Sequence, residues 1–428
     1  MAERLSTAAL FDRVSGGQTG IEFVGYDGSR AGPRDAPARA EIRSPRAVSY
    51  LVQSRADLGL ARAYVAGDLE LHGDLFEVLR RLWREHDGTF SWRERLQILR
   101  SIELSALRPV APPPNERRRA WRRRHSQRRD ASAVSHHYDV SNRFYRWVLG
   151  PSMAYTCAVF PDEDATLEEA QHEKFDLVCR KLGLEPGMRL LDVGCGWGGM
   201  VVHAAENYGV RALGVTLSRE QADWGRAAVE EAGLGERAEV RFLDYRDVTE
   251  DGFDAVSSIG LTEHVGEDQV PRYFAFLLSK LRPQGRLLNH CITRPNDQHP
   301  RLLRGGFIDR YVFPDGELLG PGYLASHLHD AGFELRHEEN LREHYARTLR
   351  AWSENLEDHW DEAIREVGEA KARTWRLYMA GSRVSFSEDY LELHQMLGVR
   401  TERGESGMPL RPDWGDRRAA LGGAAHVS

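Results

Sequence analysis

The sequence predicts a doubly wound α/β fold for its larger part, on three observations. From about residue 136 onward, apolar strand-like runs alternate with amphipathic helical stretches, the pattern of a parallel sheet with helices on both faces. The stretches GGMVVHAAENYG, REQADWGRAAVEEAG and VPRYFAFLLSKLR carry apolar residues at three-to-four spacing, which suits them to cover such a sheet. One apolar run, LLDVGCGWGG at 190–199, passes from strand into glycines and then into a helical pattern.

A chain of 428 residues is longer than one ordinary core organises, so two or three domains are expected. Residues 1–106 mix strand-like runs with helices such as DLFEVLRRLWREH, in which Leu75, Phe76, Leu79 and Leu82 share a face. They are expected to form a small N-terminal α/β accessory domain. LRPVAPPPNERRR then breaks any helix, and a Pro/Arg-rich basic linker is expected at 107–135. The second domain spans 136–403, with strands expected at 188–194, 210–217, 238–245, 253–260 and 285–292. The Gly-rich polar segment 404–428 is expected to fray. No repeat of fixed period is present.

Composition removes several classes. A 41% hydrophobic and 29% charged chain buries a core and keeps a soluble surface, which excludes wholesale disorder. No window approaches the roughly 18 apolar residues of a membrane span, and the start MAERLSTAALFDRVSGG lacks a secretory core, so a cytoplasmic location is expected. The four cysteines Cys157, Cys179, Cys195 and Cys291 form no CxxC pair, so neither disulfides nor a cysteine-rich zinc site is expected. A net charge of −7 argues against a nucleic-acid binder. The run RRRAWRRRHSQRR, Arg117 to Arg129, stands against that total: it reads as a solvated linker or as a contact for an anionic membrane surface, with nucleic acid the weakest reading.

The chemistry concentrates at the glycine run. Gly194 and Gly196 permit a tight turn and close backbone approach, so a ligand's carboxylate, amine and ribose can lie against the main chain at the strand's carboxyl end. The spacing is GxGxGG, and Asp192 inside the strand suits a cationic amino group, so S-adenosylmethionine fits better than a dinucleotide. The next strand ends at Thr216 and is followed by Gln221, both uncharged hydrogen-bond formers suited to ribose. Asp244, Tyr245 and Arg246 end the third strand, where Tyr245 is a candidate adenine contact or part of a surface turn.

With HHYDVSNRFYRWVLG, MAYTCAVF, LLDVGCGWGG, GVTLSREQ, EHVG, FIDRYVFPDGEL, HYARTLRAW and WRLYMAGS in place, the chain resembles the cyclopropane-fatty-acyl-phospholipid synthases and mycolic-acid methyltransferases over about 132–400. The resemblance implies a Rossmann-like class I S-adenosylmethionine-dependent methyltransferase domain. It also implies methyl transfer to a cis double bond of a phospholipid acyl chain. With the arginine run, a peripheral location at the inner face of the membrane is expected. An alkene is a weak nucleophile, and its methylation leaves a carbocation, so such a pocket must exclude water, stabilise positive charge and supply a base. The family's base is a bound bicarbonate, held by a cysteine main chain and by Glu, His and Tyr side chains; the matching positions are Cys157, Glu263, His290 and Tyr345. Tyr155 and Thr156 match cofactor contacts, as do Gly194, Gly196, Thr216 and Gln221. Tyr138 and Phe144 are expected to help close that pocket, and Tyr311 and Phe313 to line the acyl channel or serve a core. His264, beside Glu263, need not face the same site.

The chain departs from the common pattern at GLTEHVG, where Thr262 replaces an aromatic before the Glu. LTEH with NHCITRP resembles an actinobacterial subgroup that makes the 10-methylene precursor of tuberculostearic (10-methylstearic) acid from oleoyl phospholipid, which a flavin-dependent reductase then saturates. The cyclopropane synthase is the alternative product reading. An inactive lipid- or partner-binding scaffold and a nucleic-acid methyltransferase are weaker, since the pocket residue types are retained and no base-handling motif occurs.

Overall fold

The computed structural model describes residues 4–54, 56–84, 91–117, 141–298, 305–314 and 316–415. Arg118 to Arg129, most of the expected linker, Tyr138 and the end of the chain therefore lie outside the described residues. Contacts divide the chain into two units. The first gathers 1–150, 298–318 and 342–391; the second gathers 151–297, 319–341 and 392–428. Three segments assigned above to the 136–403 domain, 136–150, 298–318 and 342–391, thus group with the N-terminal residues.

In the first unit, β1 (Glu22–Val24), β2 (Arg30–Ala31), β3 (Arg39–Ile42) and β4 (Leu69–His72) form a sheet in the order β2-β1-β3-β4. Phe23, Ile42 and Tyr64 lie in its core, together with Leu75, Val78, Leu79 and Leu82 of helix Leu75–Arg84. The late helix Glu369–Ser387 belongs here because Leu377, Ala380 and Val384 join that same core. Its Arg373 is buried and donates to the carbonyls of Tyr64 (2.7 Å) and Leu69 (3.1 Å) and to Glu70 (2.9 Å), so its charge is paired where it leaves water.

The second unit is the doubly wound sheet. Its strands are β5 (Arg189–Val193), β6 (Arg211–Thr216), β7 (Ala238–Phe242), β8 (Phe253–Ile259), β9 (Leu281–Thr293), β10 (Glu334–Asn340) and β11 (Glu392–Val399), in the order β10-β11-β9-β8-β5-β6-β7. The strands β5 to β9 coincide with the five expected. They pair in parallel, and β5, β6 and β8 are buried almost throughout because helices cover both faces. The antiparallel pair β10 and β11 was not anticipated. β10 reads ELRHEEN, polar at nearly every position, as an edge strand tolerates; β11 is buried although it carries His394 and Gln395. The start of the expected tail is also fixed: Arg180 Nε donates to the Trp414 carbonyl (2.9 Å), and Met408 and Trp414 pack on the core. No helix among the described residues is long and apolar enough to cross a membrane.

Candidate active site

The site is built at the carboxyl edge of the sheet, where β5 ends. The N–H groups of Gly194 and Cys195 both donate to the Val215 carbonyl of β6 (2.9 and 3.0 Å), which folds the turn back over the neighbouring strand. Gly194 (φ +74°) and Gly196 (φ +55°) occupy the left-handed region that side chains disfavour. A Cβ built on Gly196 would meet nothing within 4 Å, so open space lies against the main chain here. Helix Gly199–Tyr208 starts immediately beyond. The buried Asp192 carboxylate accepts from Ser257 Oγ (2.6 Å). Burial pushes this acid up to about 7, against the opposing pull of the Ser257 hydrogen bond and the Lys174 charge.

The other expected cofactor residues divide. Thr216 Oγ1 donates to Gln221 Oε1 (2.8 Å), so the two hold one another at the end of β6. Thr156 lies against the end of β8: a Cβ on Gly260 would stand 3.0 Å from its methyl group. Its carbonyl and hydroxyl accept from Gln171 Nε2 and Lys174 Nζ, both at 2.9 Å. Tyr155 precedes it, half-buried. Tyr245 packs edge-on against Tyr273 (5.3 Å between centroids) and Phe276 (5.4 Å), which makes it part of the apolar layer under the sheet.

Of the four proposed base-site residues, three belong to this unit. Glu263 lies in the helical turn Thr262–Val265, and its Oε1 accepts from the Ile292 N–H of β9 (2.8 Å). That bond sets the carboxyl two residues along the strand from His290. The Glu263 acid is pushed up to about 7 by burial, and the buried His290 is held well below its usual value by burial and by the charges of Lys174 and Lys181. Glu263 Oε2 and His290 Nε2 are buried with no hydrogen-bond partner among the described residues. Cys157 is fully buried, with its Sγ directed at the carbonyls of Ala158 (3.1 Å) and Leu341 (3.8 Å). Tyr345 belongs to the first unit, on helix Arg342–Asp358, with its ring against Phe386 and Trp352. Phe144, Tyr311 and Phe313 are also in that unit. There Phe144 packs on Trp375, Tyr311 donates to Glu116 (3.1 Å), and Phe313 meets Tyr378, so packing accounts for all three rings. His264 shares its helical turn with Glu263, and the 100° step between neighbours turns the two side chains apart.

Sequence reasoning missed three residues behind this edge. Helix Leu167–Leu182 buries two lysines seven positions apart, hence on one face. Lys174 reaches Thr156, and burial pushes its ammonium down to about 7. Lys181 donates to Glu339 and to Gln395 Oε1 (2.8 Å), and Gln395 Nε2 lies 3.2 Å from His290 Nδ1. The signal was Gln171, Lys174 and Lys181 at positions of the helix where an apolar face would be expected. Elsewhere, His172, Asp176 and His203 group as metal-ligating types, yet the Asp176 oxygens are already engaged by His203, Tyr208 and Arg180.

A parallel sheet of this order, with a glycine turn after β5 and a buried acid beside it, defines a class I S-adenosylmethionine-dependent methyltransferase. The model of the family described as mycolic acid cyclopropane synthetase matches residues 125–396, and the chain belongs to that family. A probable fatty acid methyltransferase of Mycobacterium tuberculosis is 54% identical over 423 residues, covering 96% of this chain and 99% of its own. Among solved structures, a cyclopropane synthase from M. tuberculosis aligns with a TM-score of 0.60 at 35% identity, covering 64% of this chain and 99% of its own. A mycolic acid cyclopropane synthase complexed with SAH and CTAB aligns with a TM-score of 0.59 at 33% identity, covering 63% of this chain and 98% of its own.

Proposed function

We infer that the chain is a fatty acid methyltransferase that methylates the cis double bond of an oleoyl phospholipid and forms a 10-methylene acyl product, the precursor of 10-methylstearic (tuberculostearic) acid. The observation that carries the reading is the pair of buried atoms, Glu263 Oε2 and His290 Nε2, that no described protein group satisfies. Such atoms cost free energy unless a ligand meets them, and here they belong to an acid and an imidazole at the carboxyl edge of the sheet.

S-adenosylmethionine would supply an electrophilic methyl group on a sulfonium, and a bicarbonate would supply a base; in the second unit the Cys157 main chain, Glu263 and His290 would hold it, with Tyr345 the matching position in the first unit. The residues suit both. Gly194 and Gly196 admit a ligand to the main chain, Asp192 offers a carboxylate to a cationic amine, and Tyr155, Thr156, Thr216 and Gln221 complete the cofactor set. Gln395 Oε1 accepts from Lys181, so its amide nitrogen faces His290 Nδ1, which must accept. The imidazole proton then lies on Nε2, a neutral donor. A Glu263 carboxyl raised to about 7 is a donor for part of the time at neutral pH. Two donors without a second full negative charge suit an anion.

On the lipid, the π pair forms the bond to the methyl carbon at C10 as the carbon–sulfur bond breaks and leaves its pair on sulfur. The cation at C9 receives a hydride from C10, and the methyl group then loses a proton, its bonding pair becoming the exocyclic double bond. Thr262, whose hydroxyl donates to Asn289 Oδ1 (2.6 Å), stands where cyclopropane synthases carry an aromatic ring. Loss of that ring's face weakens stabilisation of the first cation and favours the hydride shift. The alternative reading, ring closure to cyclopropane, is favoured by the names of the solved neighbours and differs only in the fate of the cation.

The Arg117 to Arg129 run supports docking on an anionic membrane, at the cytoplasmic face, and a flavin-dependent reductase would consume the methylene product. The test is incubation with S-adenosylmethionine and oleoyl phospholipid followed by mass spectrometry and proton NMR. Exocyclic methylene protons are expected. Cyclopropyl protons would overturn the methylene assignment, and unchanged lipid would overturn the reading as a whole.

A further inference from the structure

Helix Trp92–Ser101, in the first unit, has an inverted surface. Its inner face is fixed: Ile98 and Ile102 pack on the core, Ser101 Oγ accepts from the Leu5 N–H (2.9 Å), and Arg13 donates to Glu94 (3.1 Å). A capping box between Ser91 and Glu94 holds its start. On the outward side stand Trp92, Leu96 and Leu99, an i, i+4, i+7 set spanning an arc of about 60° at 100° per residue. Trp92 is 70% exposed and Leu99 66%. Arg95 and Arg100, both exposed, border that arc at about 40° on either side.

Exposed apolar residues recur just past the helix. In the turn Leu104–Leu107, Leu104 is 85% exposed and Leu107 is exposed as well. This exposure is held in place: the Gln53 amide donates to the carbonyls of Ala106 (2.8 Å) and Arg108 (2.6 Å) and accepts from the Val110 N–H (3.1 Å). Five large exposed apolar side chains within residues 92–107 are a costly surface for water to cover. The charge carried by this part of the sequence is mostly of one sign. Residues 92–129 hold twelve arginines and three acidic residues, within a chain whose net charge is −7.

We propose that Trp92, Leu96, Leu99, Leu104 and Leu107 form an interfacial wedge that inserts into the headgroup region of an anionic phospholipid bilayer, with the flanking arginines on phosphates. An apolar ridge bordered by arginines has the chemistry of a lipid surface, acyl boundary below and anionic headgroups beside it. The inference rests on the lipid-substrate reading above and extends it, because it assigns binding to apolar insertion in addition to the arginine run.

The test is sedimentation of the full chain with dioleoyl phosphatidylglycerol vesicles at about 0.1 M and about 1 M salt, the higher of which screens the arginines to within about 3 Å. Wild-type protein is compared with the triple variant Leu96→Ser, Leu99→Ser, Leu104→Ser, all exposed positions, with S-adenosylmethionine affinity as the folding control. The wild type is expected to retain binding at high salt, and the variant to partition at least ~30-fold more weakly in both salts with cofactor affinity unchanged. Equal partitioning of variant and wild type would overturn the wedge while leaving membrane docking intact. A wild type that ignores vesicles would overturn both. Loss of self-association in light scattering, with vesicle binding unchanged, would assign these residues to a second copy of this chain and overturn the proposal.

Discussion

Gln395 Nε2 lies 3.2 Å from His290 Nδ1, between neighbouring strands β11 and β9, and both side chains are closed to solvent. Because Lys181 occupies the Gln395 oxygen, the amide cannot flip without losing both bonds. Gln395→Glu is therefore expected to accept a proton from Nδ1, move the neutral tautomer and raise the His290 pKa toward its ordinary range. Turnover should fall about tenfold or more with S-adenosylmethionine affinity unchanged. Gln395→Leu strands Lys181 and His290 together and is expected to cost about 1–3 kcal/mol of stability as well. Nitrogen-15 NMR of the imidazole and denaturant melts measure the two effects. An unchanged tautomer in Gln395→Glu would remove the relay.

Glu263→Gln keeps the shape and the bond from the Ile292 N–H while removing the titrating oxygen. Cofactor affinity is expected to stay within about twofold, and kcat to fall about a hundredfold or more, since an anion site would lose its matched partner. Calorimetric titration and steady-state kinetics separate the two. Turnover near that of the wild type would take Glu263 out of the mechanism.

The pH dependence of cofactor binding tests Asp192. With its carboxyl pushed up to about 7, the acid is neutral at lower pH and cannot pair with the ammonium of S-adenosylmethionine. Protonation of the free enzyme competes with binding, so affinity should rise about tenfold per pH unit from about 5 toward 7 and then level. Asp192→Asn should bind more weakly and flatten the slope. A slope that survives in the variant would assign the titration to another group, Lys174 being the nearest candidate.

Gly196 carries a Cβ test in the other direction. Gly196→Ala projects a methyl into open space, so its structural cost is the left-handed backbone alone, about 1 kcal/mol, or a Tm lower by about 2–4 °C. S-adenosylmethionine affinity is expected to fall at least about tenfold, because that space is where a ligand reaches the main chain. A variant with lowered Tm and undiminished affinity would show that the cofactor lies elsewhere.

The legible parts of this molecule are those whose signal is local. LLDVGCGWGG shows a strand, a turn and a helix start within ten residues, and the structure contains all three. The strands β5 to β9 show because sheets buried on both faces need uninterrupted apolar runs. β10 and β11 do not show. One is charged because its edge meets water, and the other carries His394 and Gln395, whose polarity is acceptable only because Thr293 and Lys181 meet them from other elements. The lysines of helix Leu167–Leu182 were hidden for the same reason.

The amino-acid sequence by itself determined the five parallel strands, the glycine turn and the residue types at the edge, since each depends on neighbours within a few positions, and the family, since its motifs are short local blocks. The tertiary structure alone decided which late helix joins the N-terminal core, which aromatic rings pack, and which buried polar atoms go unsatisfied. The physical reason is that hydrogen-bond satisfaction is a property of three-dimensional neighbours: Lys181, His290 and Gln395 become one network only when a helix and two strands, more than a hundred residues apart at the extremes, close on one another.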